Sequence, residues 1–152
     1  MATEPTVDDP IRIAFVCVQN AGRSQMATAF AERERDRRGL VDRVEILTGG
    51  TRPADGVHEG VIAVMNEVGV DLTDRTPREI TPDTLRSCDT VATMGCSTLE
   101  LGDVDAAVDV RDWALEDPDG RELEAVRAIR DGIEDRVAAL FDEFSDAPER
   151  SR

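Results

Sequence analysis

A parallel α/β architecture, a four-stranded sheet with helices on both faces, is predicted for this chain of 152 residues by three observations. Short apolar runs rich in β-branched residues alternate with stretches of helical periodicity, the pattern of a sheet covered on both sides. The first run, Ile11 to Val16, opens directly onto the tight loop Cys17-Val18-Gln19-Asn20-Ala21-Gly22-Arg23-Ser24, which leads into a helical pattern. The chain closes on a long amphipathic stretch able to cover one face of the sheet.

The elements follow in order. Residues 1–9 and 146–152 are expected as disordered tails of one domain spanning 1–152. After the first strand, Gly22 to Arg38 places Met26, Ala27, Phe30 and Ala31 on one side and stops at Gly39. Val44 to Thr48 reads as a second strand, ended by Gly49-Gly50. Val57, Val61, Val64, Met65 and Val68 have helical spacing up to Gly69. Thr81 to Ser87 suits a short helix with Pro82 in its first turn, and Thr90 to Met94 is a third strand. Ala106 to Val110 is expected as the fourth. The last helix would bury Leu123, Val126, Ile129, Ile133, Val137, Leu140, Phe141 and Phe144.

A strand, a tight loop and a helix in that order build a cradle for a tetrahedral oxyanion. Main-chain N–H groups of Val18, Gln19, Asn20, Ala21, Gly22, Arg23 and Ser24 and the positive end of the helix dipole face the anion, and Arg23 can grip two oxygens in a fork. The same field favours the thiolate form of Cys17, the nucleophilic form. A buried inert cysteine is the alternative, but it needs no Asn, Gly, Arg and Ser within the next seven residues.

Attack on an oxyanion requires a proton for the departing oxygen, so a carboxylic acid is expected at the same edge of the sheet. Asp117, before Pro118 in the loop ahead of the last helix, is the first candidate; Glu116, Asp119 and Asp112 are the fallbacks. Cys88 precedes the third strand and Cys96 follows it, a span of up to about 26 Å if extended. Cys96 therefore shares an edge with Cys17 and suits redox chemistry, while Cys88 suits a buried structural thiol. His58, the only histidine, is read first as a helix-start polar residue and second as a wall of the site. Trp113 is expected to pack the acid-bearing loop against the body, and Glu32 to Arg38 to form a solvated helix face.

Composition narrows the class. No apolar run is long enough for a membrane span, the amino terminus is unlike a signal peptide, and a cytoplasmic location is expected. Three cysteines then point to thiol chemistry and away from a disulfide framework. The 33 acidic residues against 18 basic ones, all Arg, give a formal charge of -15. Self-repulsion of that size suits a high-salt interior, and the surface is similar to that of haloarchaeal proteins; an ordinary acidic mesophile protein is the alternative. Nucleic acid and anionic membranes are excluded as partners.

The segments F-V-C-V-Q-N-A-G-R-S-Q-M-A (Phe15 to Ala27), G-G-T-R-P-A-D (Gly49 to Asp55), E-V-G-V-D-L (Glu67 to Leu72), A-T-M-G-C (Ala92 to Cys96) and W-A-L-E-D-P-D-G (Trp113 to Gly120) span nearly the whole chain. In these the chain resembles the arsenate reductases built on the low-molecular-weight protein tyrosine phosphatase fold, above all the actinobacterial ones that use a small thiol. The resemblance implies that Cys17 forms a covalent thiol-arsenate adduct, that Arg23 and residues 18–24 hold the oxyanion, and that Asp117 is the general acid. Arsenate is then the substrate, with phosphate and sulfate as analogues, and no bound cofactor or metal is implied. The external reductant is a thioredoxin-like or glutaredoxin-like protein or a small-molecule thiol.

Tyrosine phosphatases of this fold usually carry an aromatic residue after the Asp-Pro pair, which stacks on the phenol. Asp119 stands here, and the chain has no Tyr. Thioredoxin-coupled reductases use a cysteine matching Cys96 and a third a few residues later, yet residues 97–112 contain none. Either Cys96 resolves the adduct, or a small thiol attacks it and a redoxin completes the cycle. A phosphomonoesterase and a non-catalytic oxyanion-binding module are the competing readings.

Overall fold

A computed structural model describes residues 10–50, 52–94, 108–113, 115, 118 and 120–145. The order of elements is β1 (Ile11–Cys17), α1 (Arg23–Arg37), β2 (Val44–Gly50), α2 (Glu59–Asn66), α3 (Pro82–Arg86), β3 (Thr90–Met94), β4 (Asp109–Asp112) and α4 (Leu123–Ser145). The expected tails lie outside the described residues. The four strands form one parallel sheet in the order β2-β1-β3-β4.

β1 is central, and its last residue, Cys17, is registered with Gly50 on one side and Met94 on the other. Alternate residues of β1 serve different cores. Ile13, Phe15 and Cys17 face the larger one, with Met26 and Phe30 of α1, Met65 of α2 and Val126, Ile133, Val137 and Phe141 of α4. Ala14 and Val16 face a smaller one with Leu85 of α3, Cys88 and Val91. Burial on both faces is why β1 reads as a continuous apolar run. Trp113 is buried against Phe15, ring centroids 5.9 Å apart.

Helices α1 and α2 end alike. Gly39 (φ +68°) and Gly69 (φ +81°) are left-handed, and Leu40 N–H and Val70 N–H reach back to the carbonyls of Arg35 and Met65. A Cβ at either glycine would meet nothing within 4 Å, so only backbone conformation opposes a side chain. Gly69→Ala should cost about 1–2 kcal/mol, read as a lowered midpoint in urea with an unchanged slope.

Four expectations need correction. Gly49 and Gly50 do not end β2; they continue it, because Gly50 N–H donates to Arg78 O and Gly50 O accepts from Ile80 N–H. Both are glycine because another chain segment lies on top: a Cβ at Gly49 would collide with Ile80 Cβ, and one at Gly50 would stand 2.5 Å from Val18 O. β4 runs over Asp109–Asp112, later than the expected Ala106 to Val110. As an edge strand it is placed by its register with Thr90 to Thr93, and its apolar residues do not decide it. Leu123, at the start of α4, is 42% exposed, while Val126, Ile129, Ile133, Val137, Leu140 and Phe141 are buried.

The run Glu32 to Arg38 is also more than a solvated face. Arg33 pairs with Glu134 and stacks on Phe30, Arg38 pairs with Glu34 and Asp142, and Glu32 pairs with Arg75, tying α1 to α4 and to the loop after α2.

A second network joins α2 to α4: Glu67 accepts from Arg127 and Arg130, and Arg130 also donates to Val64 O. The Arg127 hydrogen bond, then that of Arg130, lowers the Glu67 carboxyl from 4.5 to about 2. A pKa lowered by folding stabilises the native state above the unfolded value and loses that contribution as pH falls through the folded one. The stability gap between the parent and Glu67→Gln should thus be constant from neutrality to about pH 5 and close between about 4.5 and 2. Because Glu67 is exposed, molar salt should shrink the gap. Urea titrations across that range measure it.

Candidate active site

The site is assembled where β1 runs out. Cys17 is 3% exposed, and α1 begins six residues later, capped by Gly22 without any side-chain capping bond and with no acid in its first turn. Its first N–H groups are therefore not neutralised by a side chain of the cap.

Between them stands Asn20, fully buried and left-handed (φ +53°), a conformation asparagine tolerates better than most residues. Its amide makes four hydrogen bonds, which exhausts it. Oδ1 accepts from Arg78 N–H (3.0 Å) and Gln25 Nε2 (3.1 Å). Nδ2 donates to Ser24 Oγ (2.7 Å) and Thr48 Oγ1 (2.9 Å). The Thr48 hydroxyl donates to Phe15 O (3.0 Å), so it receives the Asn20 amide as an acceptor. Ser24 Oγ receives an Asn20 hydrogen and lies 2.8 Å from Cys17 Sγ, to which its hydroxyl can donate when the sulfur is a thiolate. Asn20 N–H points at the same sulfur from 3.2 Å. Two donors thus converge on Sγ, the arrangement that solvates a thiolate.

A strap from Arg52 to His58 holds the loop from outside. Arg52 N–H donates to Val18 O (2.7 Å), Ala54 N–H to Gln19 O (3.0 Å) and His58 N–H to Ala21 O (2.9 Å). Three carbonyls of the loop are thereby held by the strap. Arg23 is 8% exposed and donates from Nη1 to Leu115 O at 2.8 Å. Leu115 follows Trp113, whose N–H is bonded to Thr93 O, and Pro118 lies over Gly22, where a Cβ would come within 3.0 Å of Pro118 Cγ. The guanidinium thereby anchors the loop on which the candidate acid was expected.

These walls enclose a cavity of about 210 Å³ lined by Cys17, Val18, Gln19, Ala21, Gly22, Arg23 and His58. It is smaller than the roughly 300–1,000 Å³ of pockets for drug-sized ligands. Among the described lining residues no phenyl, phenol or indole ring is available to stack on an aryl group.

The structure thus brings together Cys17, the residues Val18 to Ser24, Arg23 and the described neighbours of Asp117. Asp117 itself, Cys96, Glu116 and Asp119 lie outside the described residues. Asp112 is described, exposed at the end of β4 and 3.5 Å from Thr93 Oγ1. Cys88 is buried at the opposite, amino end of β3, and burial pushes its thiol up. His58 fits both of its readings: it occupies the N-cap position of α2, without a side-chain capping bond, and its side chain lines the cavity. Sequence reasoning missed Gln25, Thr48 and the strap. The advance signals were a hydroxyl residue immediately before two glycines, for Thr48, and the resemblance segments Phe15 to Ala27 and Gly49 to Asp55, which contain Gln25 and the first half of the strap.

Comparison with known proteins gives a consistent picture. Residues 12–149 match the family model described as low molecular weight phosphotyrosine protein phosphatase. A Halobacterium salinarum protein named "Putative arsenate reductase" is 69% identical over 141 residues, covering 92% of this chain and 97% of its own. The "Glutaredoxin arsenate reductase" of Synechocystis is 32% identical over 135 residues, 88% of this chain and 98% of its own. The solved thioredoxin-dependent arsenate reductase Cg_ArsC1' of Corynebacterium glutamicum superposes with a TM-score of 0.70 at 30% identity, over 90% of this chain and 63% of its own. The four-stranded sheet with its sulfur-centred cradle and the extent of these matches lead to one conclusion: the chain belongs to the low molecular weight phosphotyrosine protein phosphatase family.

Proposed function

We propose that the protein is an arsenate reductase that uses an external thiol reductant. The observation that carries the reading is the Asn20 relay, which sets two donors toward Cys17 at the floor of a small cavity walled by Arg23. The 69% identical relative supports the choice of substrate.

Cys17 attacks arsenic, an As–O bond breaks, and the departing oxygen leaves as water once Asp117 supplies a proton. Arg23 and the N–H groups of residues 18–24 hold the remaining oxygens. A second sulfur then attacks Cys17 Sγ, the Sγ–As bond breaks, and its electron pair stays on arsenic, giving arsenite and a disulfide at Cys17. That sulfur belongs to Cys96 or to a small-molecule thiol, and a redoxin restores the resting enzyme. The absence of a cysteine in residues 97–112 favours the small thiol. The reaction runs in a salty cytoplasm, where the charge of -15 is screened.

Arsenite release from arsenate at molar salt, dependent on thiol and absent in Cys17→Ser, tests the reading. The same cradle also fits a phosphomonoesterase, the activity named by the family model. Aryl phosphate turnover without any thiol-dependent arsenite would establish that reading in its place.

A further inference from the structure

We infer that His58 is the general base of the reducing half-reaction, taking the proton of a small-molecule thiol as its sulfur attacks Cys17; the inference rests on the reductase reading above. His58 is held by its main chain: N–H donates to Ala21 O (2.9 Å) and its carbonyl accepts from Ile62 N–H (3.0 Å). Its imidazole neither caps α2 nor hydrogen-bonds to any described residue. The ring stands over the cradle, with Cδ2 3.5 Å from where a Cβ on Gly22 would lie, and it faces the cavity that Cys17 floors.

Among the described residues lining that cavity, the titratable or charged side chains are Cys17, Arg23 and His58. Cys17 is the nucleophile already committed to arsenic, an arginine has no proton-accepting site, and the Asp117 carboxylate left by the first step is the competing base, which would make the loss in the His58 variant small for every thiol. Imidazole is the side chain that exchanges a proton near neutrality. The adjoining acids, Asp55 on the strap and Glu59 at the start of α2, are exposed and line no part of the cavity.

The chemistry has a use for such a group. A free thiol is mostly protonated at neutral pH, and only the thiolate attacks sulfur. In the proposed step the S–H proton passes to a ring nitrogen of His58 and the thiol sulfur bonds to Cys17 Sγ. The Sγ–As bond breaks toward arsenic, taking As(V) to As(III). Arsenite leaves, a mixed disulfide remains on Cys17, and the imidazolium returns its proton to solvent.

The test compares wild type with His58→Gln across a series of small thiols of graded acidity, at fixed pH and saturating arsenate. With weakly acidic thiols the variant should release arsenite about 10²-fold more slowly in a single turnover, with its affinity for phosphate as an arsenate analogue unchanged. With a thiol already ionised at the assay pH it should recover nearly the full wild-type rate, which also shows that the variant is folded. A loss equal across the series, or no loss at all, overturns the inference while leaving the reductase intact. No arsenite from wild type with any thiol removes both.

Discussion

Arg23→Lys is expected to lower kcat/KM for arsenate about 10²- to 10³-fold, the size of effect seen when one preorganised donor to a developing oxyanion is removed. Arg23 has two tasks in one plane: Nη1 holds Leu115 O at 2.8 Å, and the guanidinium walls the cavity above Cys17. Lysine keeps the charge but has no planar fork, so it cannot hold the loop and clamp two oxygens together. Kinetics with arsenate, together with calorimetric binding of phosphate and sulfate as analogues, measure both parts. Less than a tenfold loss in either would mean that the loop N–H groups alone hold the anion.

Gly50→Ala should damage the site from behind. A Cβ there would stand 2.5 Å from Val18 O, 2.9 Å from Cys17 O and 3.0 Å from Asn20 N, all of them main-chain atoms of the cradle. No flexible side chain can swing aside, so either β2 or the loop must move. Overpacking of this kind costs about 1–3 kcal/mol. Activity should suffer more than stability, since a displacement of about 1 Å at a reacting centre costs about 10²-fold. Gly56→Ala is the control, because a Cβ there meets nothing within 4 Å. Thermal midpoints and initial rates of the two variants should separate clearly; equal behaviour would contradict the packing account.

What could be read from the sequence was what depends on neighbours along the chain. β1, the Cys17 loop and the start of α1 are consecutive, and strand, loop and helix signals meet within a few residues. The glycine stops at Gly39 and Gly69 are local in the same way. The misreadings arose where partners distant in sequence decide. Glycine signals a turn as readily as a close approach, and only Ile80 and Val18 reveal which applies at Gly49 and Gly50. The register of β4 is set by β3. Thr48 lies 28 positions from Asn20, and its hydroxyl becomes functional only because β2 runs parallel to β1. His58 reads as a helix-start residue and is one by backbone, but the strap carries its ring to the cavity.

Mass spectrometry after a single turnover tests most directly that arsenic is reduced through Cys17 Sγ. Reduced protein is mixed with arsenate and one small thiol at molar salt, arsenite is counted, and the cysteines are mapped. The account predicts one arsenite per protein and Cys17 in a disulfide, with the small thiol or with Cys96. Arsenite formed while Cys17 stays a free thiol, or the same yield from Cys17→Ser, would contradict it.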